Sequence, residues 1–180
     1  MNREIEFRGK TEDGRWIYGD FFHTWDSVMI QYEIELNDEN TYNAEDVDVD
    51  TVGQFTGFTD KNGKKIYEGD IVRFYKIEEF GHHSFDEESE WKIEECADSV
   101  IFDCGRFVLN NASNLELAYL AADYICDPDS SLSEEYGHIV NQDDYPFIKT
   151  MNDTLCAEVI GNIYDEPELL SGHQPSKLKT

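Results

Sequence analysis

Three groups of residues in this chain of 180 carry side chains and spacings that could do chemistry. Asp46, Asp48 and Asp50 alternate like the first ligands of a calcium loop, but an EF-hand also requires glycine at its sixth place and glutamate at its twelfth. Those places hold Thr51 and Gly57. The alternation predicts instead an extended segment with Val47 and Val49 inward and three carboxylates in water. His82-His83, beside Asp86, Glu87 and Glu88, offers imidazole and carboxylate, a set that suits zinc or nickel. Adjacent residues of a strand project to opposite faces, and no second pair at ligand spacing follows, so a solvated loop is expected. Cys96, Cys104, Cys126 and Cys156 lack the close C-x-x-C spacing of a zinc knuckle or redox site and read as reduced thiols, mostly in the core. No metal and no cofactor is expected.

The motif inventory is equally spare. No phosphate loop, nucleophile elbow, H-E-x-x-H or dinucleotide fingerprint occurs. Among 40 acids, pairs of carboxylates are too common to nominate an acid–base couple. With 14 lysines and arginines the formal charge is -26, which argues against direct binding to nucleic acid or to anionic lipid. The imbalance is steepest in residues 77–145, where 18 acids meet 2 bases. The first residues contain no apolar run of signal-peptide or membrane-span length, so a cytoplasmic protein is expected.

Whatever these groups do, strands must position them. Apolar and polar residues alternate in Ile5-Glu6-Phe7-Arg8 and in Trp16 to Phe22, with Asp13-Gly14 as the turn between. Ser27 to Glu35 repeats the pattern, with Val28, Ile30, Tyr32 and Ile34 on one face, and ends at the turn-prone Asn37-Asp38-Glu39-Asn40. Asn62-Gly63 marks a second hairpin between Thr56 and Tyr67, and Gly69-Asp70 leads into the strand Ile71 to Ile77. A capping box from Ser113 to Glu116, with Leu117, Leu120, Ala121, Tyr124 and Ile125 at helical spacing, predicts a helix at about 114–126. Cys156 to Tyr164 reads as a closing strand, and residues 171–180 as a flexible tail. The fold class is therefore mainly β, a small curved sheet or a partly open β-barrel with a helical insertion, barrel closure being the favoured way to hide strand edges.

Arg3-Glu4-Ile5-Glu6-Phe7-Arg8-Gly9-Lys10 followed by Trp16-Ile17-Tyr18-Gly19 resembles the opening of the YopX family. Thr51 to Gly57, Asp60-Lys61-Asn62-Gly63-Lys64, Ile66 to Val72 and Glu158 to Tyr164 resemble its central and closing blocks, in the same order. The resemblance implies a phage or prophage protein of mainly β fold, in a family without an established molecular function, and it supplies no catalytic residues. It divides the chain into a single domain over 1–170, with 78–154 as an acidic insertion that contains the helix.

Within the shared blocks, the glycines suit turns or close backbone approach, and Asp60 suits a turn cap. Gln54, Tyr67 and Glu68 are the candidate partner contacts there; Asp86, Glu87 and Glu88 are those of the acidic stretch. The leading expectation is an accessory protein acting through contact with an unknown, basic protein partner. Self-association through strand edges and Trp16, Trp25 and Trp91 accompanies it. One alternative is an acidic mimic of nucleic acid that occupies a host DNA-binding protein; another is a small hydrolase or nucleotide-processing enzyme.

Overall fold

The computed structural model describes residues 4–36, 39–80, 90–111 and 157–170. The fold is mainly β. Among the described residues the strands are β1 (Phe7–Lys10), β2 (Trp16–His23), β3 (Val28–Leu36), β4 (Glu39–Asp46), β5 (Asp48–Thr59), β6 (Lys65–Tyr67), β7 (Asp70–Phe80), β8 (Glu90–Asp103), β9 (Arg106–Leu109) and β10 (Ala157–Asn162), followed by a 3-10 turn at Pro167–Leu170.

They form two antiparallel sheets. The first has the order β4-β3-β2-β1-β5-β6 and the second β10-β7-β8-β9. Neither closes into a barrel among the described residues. The cause lies at β6: after only three residues the chain turns at Glu68-Gly69 and begins β7 in the other sheet rather than returning to β4.

The period-two patterning explains the first sheet. Phe7 and Gly9 of β1 share a face with Ile17 of β2, Ile30 of β3 and Val47, and this side packs into a small core with Val28, Tyr32 and Val52. Gly9 is required there because a side chain would stand 2.8 Å from Val47 Cβ. The second core joins Ile66 of β6 to Val72 and Phe74 of β7, Val100 of β8, Phe107 and Leu109 of β9, and Ala157 of β10. Ile66 belongs by hydrogen bonding to the first sheet and by packing to the second, and so couples the two.

Three features differ from the sequence expectations. Val47 is buried, but Val49 is 57% exposed, because Val47 is the link between β4 and β5 and the alternation is not carried across it into β5. Asp46, Asp48 and Asp50 do face water. Residues 39–40, read as part of a turn, open β4, a strand without apolar alternation that pairs with β3 along its whole length. Cys96 is half-buried against the second core, whereas Cys104 is exposed in the β8–β9 turn.

β8 and β9 fall inside the stretch 78–154 that the motifs set apart, yet they supply Val100, Phe107 and Leu109 to the core. Asp98 fastens this hairpin: its carboxylate accepts from the Ser99 and Asn111 backbone N–H groups, each at 2.8 Å, and from Asn111 Nδ2 at 2.8 Å. The helix expected at about 114–126, His82-His83, Asp86-Glu87-Glu88, Cys126, Cys156 and the tail 171–180 lie outside the described residues.

Candidate functional site

On the face of β1 opposite the core, Arg8 and Lys10 stand beside Tyr18 and Trp16, their partners across the β1–β2 ladder. The Arg8 guanidinium is held between two rings, 4.7 Å from the Trp16 centroid and 5.1 Å from that of Tyr67. Its Nη1 pairs with Asp70 Oδ1 at 2.5 Å, and its Nη2 donates to the Glu68 carbonyl at 3.1 Å. The other Asp70 oxygen accepts the Tyr67 backbone N–H at 2.8 Å. Arg8 is 5% exposed and Asp70 1%, and Arg8 Nε is buried with no hydrogen-bond partner. Planar, delocalised guanidinium suits this combination of ring stacking and forked hydrogen bonding.

The turn bearing Glu68 approaches β5 closely because Gly53 lies there. A Cβ on Gly53 would stand 2.4 Å from the Glu68 carbonyl oxygen. Gly69, with φ +84°, makes the reversal and lies against the Tyr164 ring. Tyr164 in turn packs on Trp16, at 5.8 Å between centroids.

Asp165 closes this side. It accepts Trp16 Nε1–H at 2.8 Å and Asn162 Nδ2–H at 2.9 Å, and it pairs with Lys10. Hydrogen bonding to Lys10, then to Asn162 and Trp16, holds its carboxyl down at about 2. Because that value lies below the 3.8 of the unfolded group, the ionised form stabilises the fold above about pH 4, and this contribution is lost as pH falls from about 4 to about 2. Asp165→Asn is expected to flatten that part of the stability profile, as checked by urea midpoints at about pH 5 and about pH 2.5.

Tyr67 is buried between Tyr18, at 5.4 Å, and Phe55, at 5.6 Å, and its hydroxyl donates to Glu6 Oε2 at 2.7 Å. Burial, then the Glu6 carboxylate, pushes its phenol well above the ordinary range, which keeps it protonated. Lys65 pairs with Glu6 at 2.5 Å and Glu4 at 2.8 Å. Tyr67→Phe keeps the ring packing and removes one hydrogen bond, so a loss of about 1 kcal/mol in urea unfolding is expected.

The structure brings Gln54, Tyr67 and Glu68 together, but largely through the backbone: Glu68 N–H donates to the Gln54 carbonyl at 3.0 Å. Tyr67, at 4% exposed, presents little surface. Trp16 is occupied by Arg8, Tyr164 and Asp165, whereas Trp25, in the β2–β3 turn, is fully exposed. Ile5, Tyr18, Tyr42 and Phe102 are also exposed. Arg8 and Asp165 are organising groups that the sequence motifs do not single out; the signal for Arg8 is a cation one residue from the apolar face of a strand, set between aromatic-rich blocks.

A family model described as YopX protein matches residues 6–126. The chain belongs to the YopX family. The YopX match takes in Arg8, Trp16, Gly53, Asp60, Tyr67 and Asp70, and it runs through β8 and β9. The crystal structure of protein EF1440 from Enterococcus faecalis is similar at 17% identity and a TM-score of 0.44, over 94% of this chain and 99% of that one. No curated protein matches. No helix among the described residues is long and apolar enough to cross a membrane, and no group of three or more metal-ligating side chains occurs among them.

Proposed function

We propose that this YopX-family chain is a phage- or prophage-derived, cytoplasmic accessory protein that acts through protein–protein contact, without chemistry of its own. One contrast carries the reading. The central charged groups are engaged with one another, Arg8 with Asp70 and Asp165 with Lys10, while Trp25 in the β2–β3 turn and Tyr42 on β4 stand in solvent. Exposed aromatic side chains of this kind are enriched in binding surfaces. The phage origin rests on the family resemblance.

Affinity capture from a native host lysate, followed by mass spectrometry, tests the proposal. A partner retained by the unaltered chain and lost by Trp25→Ala/Tyr42→Ala supports it. Recovery of nothing above background, together with ligand-dependent thermal stabilisation and turnover in a screen of nucleotides and sugars, would overturn it in favour of the enzyme. The charge of residues 77–145 favours a second reading, mimicry of nucleic acid. Its signature is capture of DNA-binding proteins that added DNA displaces and that rising salt abolishes.

A further inference from the structure

The outer half of the first sheet carries charge of one sign. From Trp16 to Asp60 the sequence holds eleven aspartates and glutamates and no lysine or arginine, so β2, β3 and β4 have neither of these cations of their own. Arg15, just outside this range, reaches Glu45 at 2.7 Å. Glu33, Glu35 and Asp46 remain exposed.

Among the described residues β4 also ends its sheet. Its eight residues pair with β3 in unbroken register, from Leu36↔Glu39 to Met29↔Asp46. No described strand lies on the other side. Backbone groups of an antiparallel strand alternate in direction, so half of those in β4 point to the open side. Natural edges are commonly blunted by lysine, proline or a bulge. β4, Glu-Asn-Thr-Tyr-Asn-Ala-Glu-Asp, has none of these, and Tyr42 stands 66% exposed at its middle.

We infer that β4 is a docking edge that accepts an extended, lysine- or arginine-bearing segment of another protein as an added strand. The inference rests on the contact function proposed above and names its surface and the chemistry of its partner. Strand addition takes affinity from main-chain hydrogen bonds and specificity from side chains. Here charge supplies the choice. Two copies of β4 paired antiparallel about Tyr42 would set Glu39 against Glu45, like charges directly opposite, which destabilise a ladder. A basic strand reverses that sign and is steered in by the surrounding carboxylates.

The probe is an acetylated and amidated peptide of alternating lysine and threonine, titrated into the isotope-labelled full chain and followed by amide chemical shifts and hydrogen exchange. The expected result is perturbation centred on residues 39–46, slowed exchange at alternate β4 amides, and affinity that falls steeply with added salt. The triple variant Glu33→Lys/Glu35→Lys/Asp46→Lys is expected to weaken binding at least about tenfold while keeping the unfolding midpoint within a few degrees. Three results would overturn the inference: perturbation confined to another edge, β4 amides already protected in the free monomer because residues 112–156 seat there, or concentration-dependent dimerisation through β4. If the captured partner ignores the triple variant but still requires Trp25, the docking edge is wrong and the contact function stands. If no partner is captured and turnover is found, the contact function itself falls.

Discussion

Arg8→Ala is expected to destabilise the fold by about 3–5 kcal/mol, the usual effect of removing one partner of a buried ion pair. For a chain of this size that corresponds to a drop in unfolding temperature of roughly 10 °C. The reason is what remains behind. Asp70, 1% exposed, keeps a single hydrogen bond from the Tyr67 N–H and loses the cation that faces it at 2.5 Å. The Glu68 carbonyl loses its Arg8 donor, and a gap opens between the Trp16 and Tyr67 rings. Arg8→Lys restores the charge but neither the fork nor the stack, so it should fall between wild type and alanine. Arg8→Met/Asp70→Asn, which removes both charges and retains much of the volume, should be less destabilised than the sum of its single variants. Urea unfolding of wild type, Arg8→Met, Asp70→Asn and the double variant gives the coupling. A loss below about 1 kcal/mol for Arg8→Ala would show that the cluster does not join the sheets.

Much of this architecture was legible in the sequence because it is written in period two and in turn chemistry. Ile17 and Ile30 lie on the buried face their alternation assigns, and Gly63, at φ +82°, supplies the positive φ expected of Asn62-Gly63. β4 was not legible. Asn40, Thr41, Tyr42, Asn43 and Ala44 show no apolar alternation, and their strand state comes from the partner β3 rather than from local preference. Barrel closure was expected from the abundance of edges, but nothing in the sequence states that β6 is three residues long or that Ile66 packs into the other sheet. The candidate contacts show the same limit. Gln54, Tyr67 and Glu68 are adjacent as a block of motifs suggests, yet the side chain that holds Tyr67 and Glu68 is Arg8, 60 positions before Glu68. A pairing over that separation becomes visible only when the ladder Arg8↔Gly53 brings the two segments together.

Asp60→Ala should release the last strand from the rest of the fold, at a cost of about 3 kcal/mol. The carboxylate is 1% exposed and accepts three backbone N–H groups: Oδ1 takes those of Asn62 at 2.8 Å and Lys64 at 2.9 Å, and Oδ2 takes that of Val159 at 3.1 Å. The first two shape the Asn62-Gly63 turn, and the third ties that turn to β10, 99 residues further along the chain. Lys61 N–H adds a second tie, to the Ala157 carbonyl at 2.9 Å. Water can replace the carboxylate at Asn62 and Lys64, which lie in an exposed turn, but not readily at Val159, which packs against the second core. The loss should therefore be uneven. Amide exchange in β10 should accelerate more than in β7 or β8, and Trp16 should loosen with it, because Asp165 and Tyr164 follow β10 directly. Asp60→Asn should be milder: its one carbonyl oxygen still serves the turn, while its amide presents a donor to the Val159 N–H. Equal acceleration throughout the second sheet would mean that Asp60 supports the core as a whole rather than fastening β10.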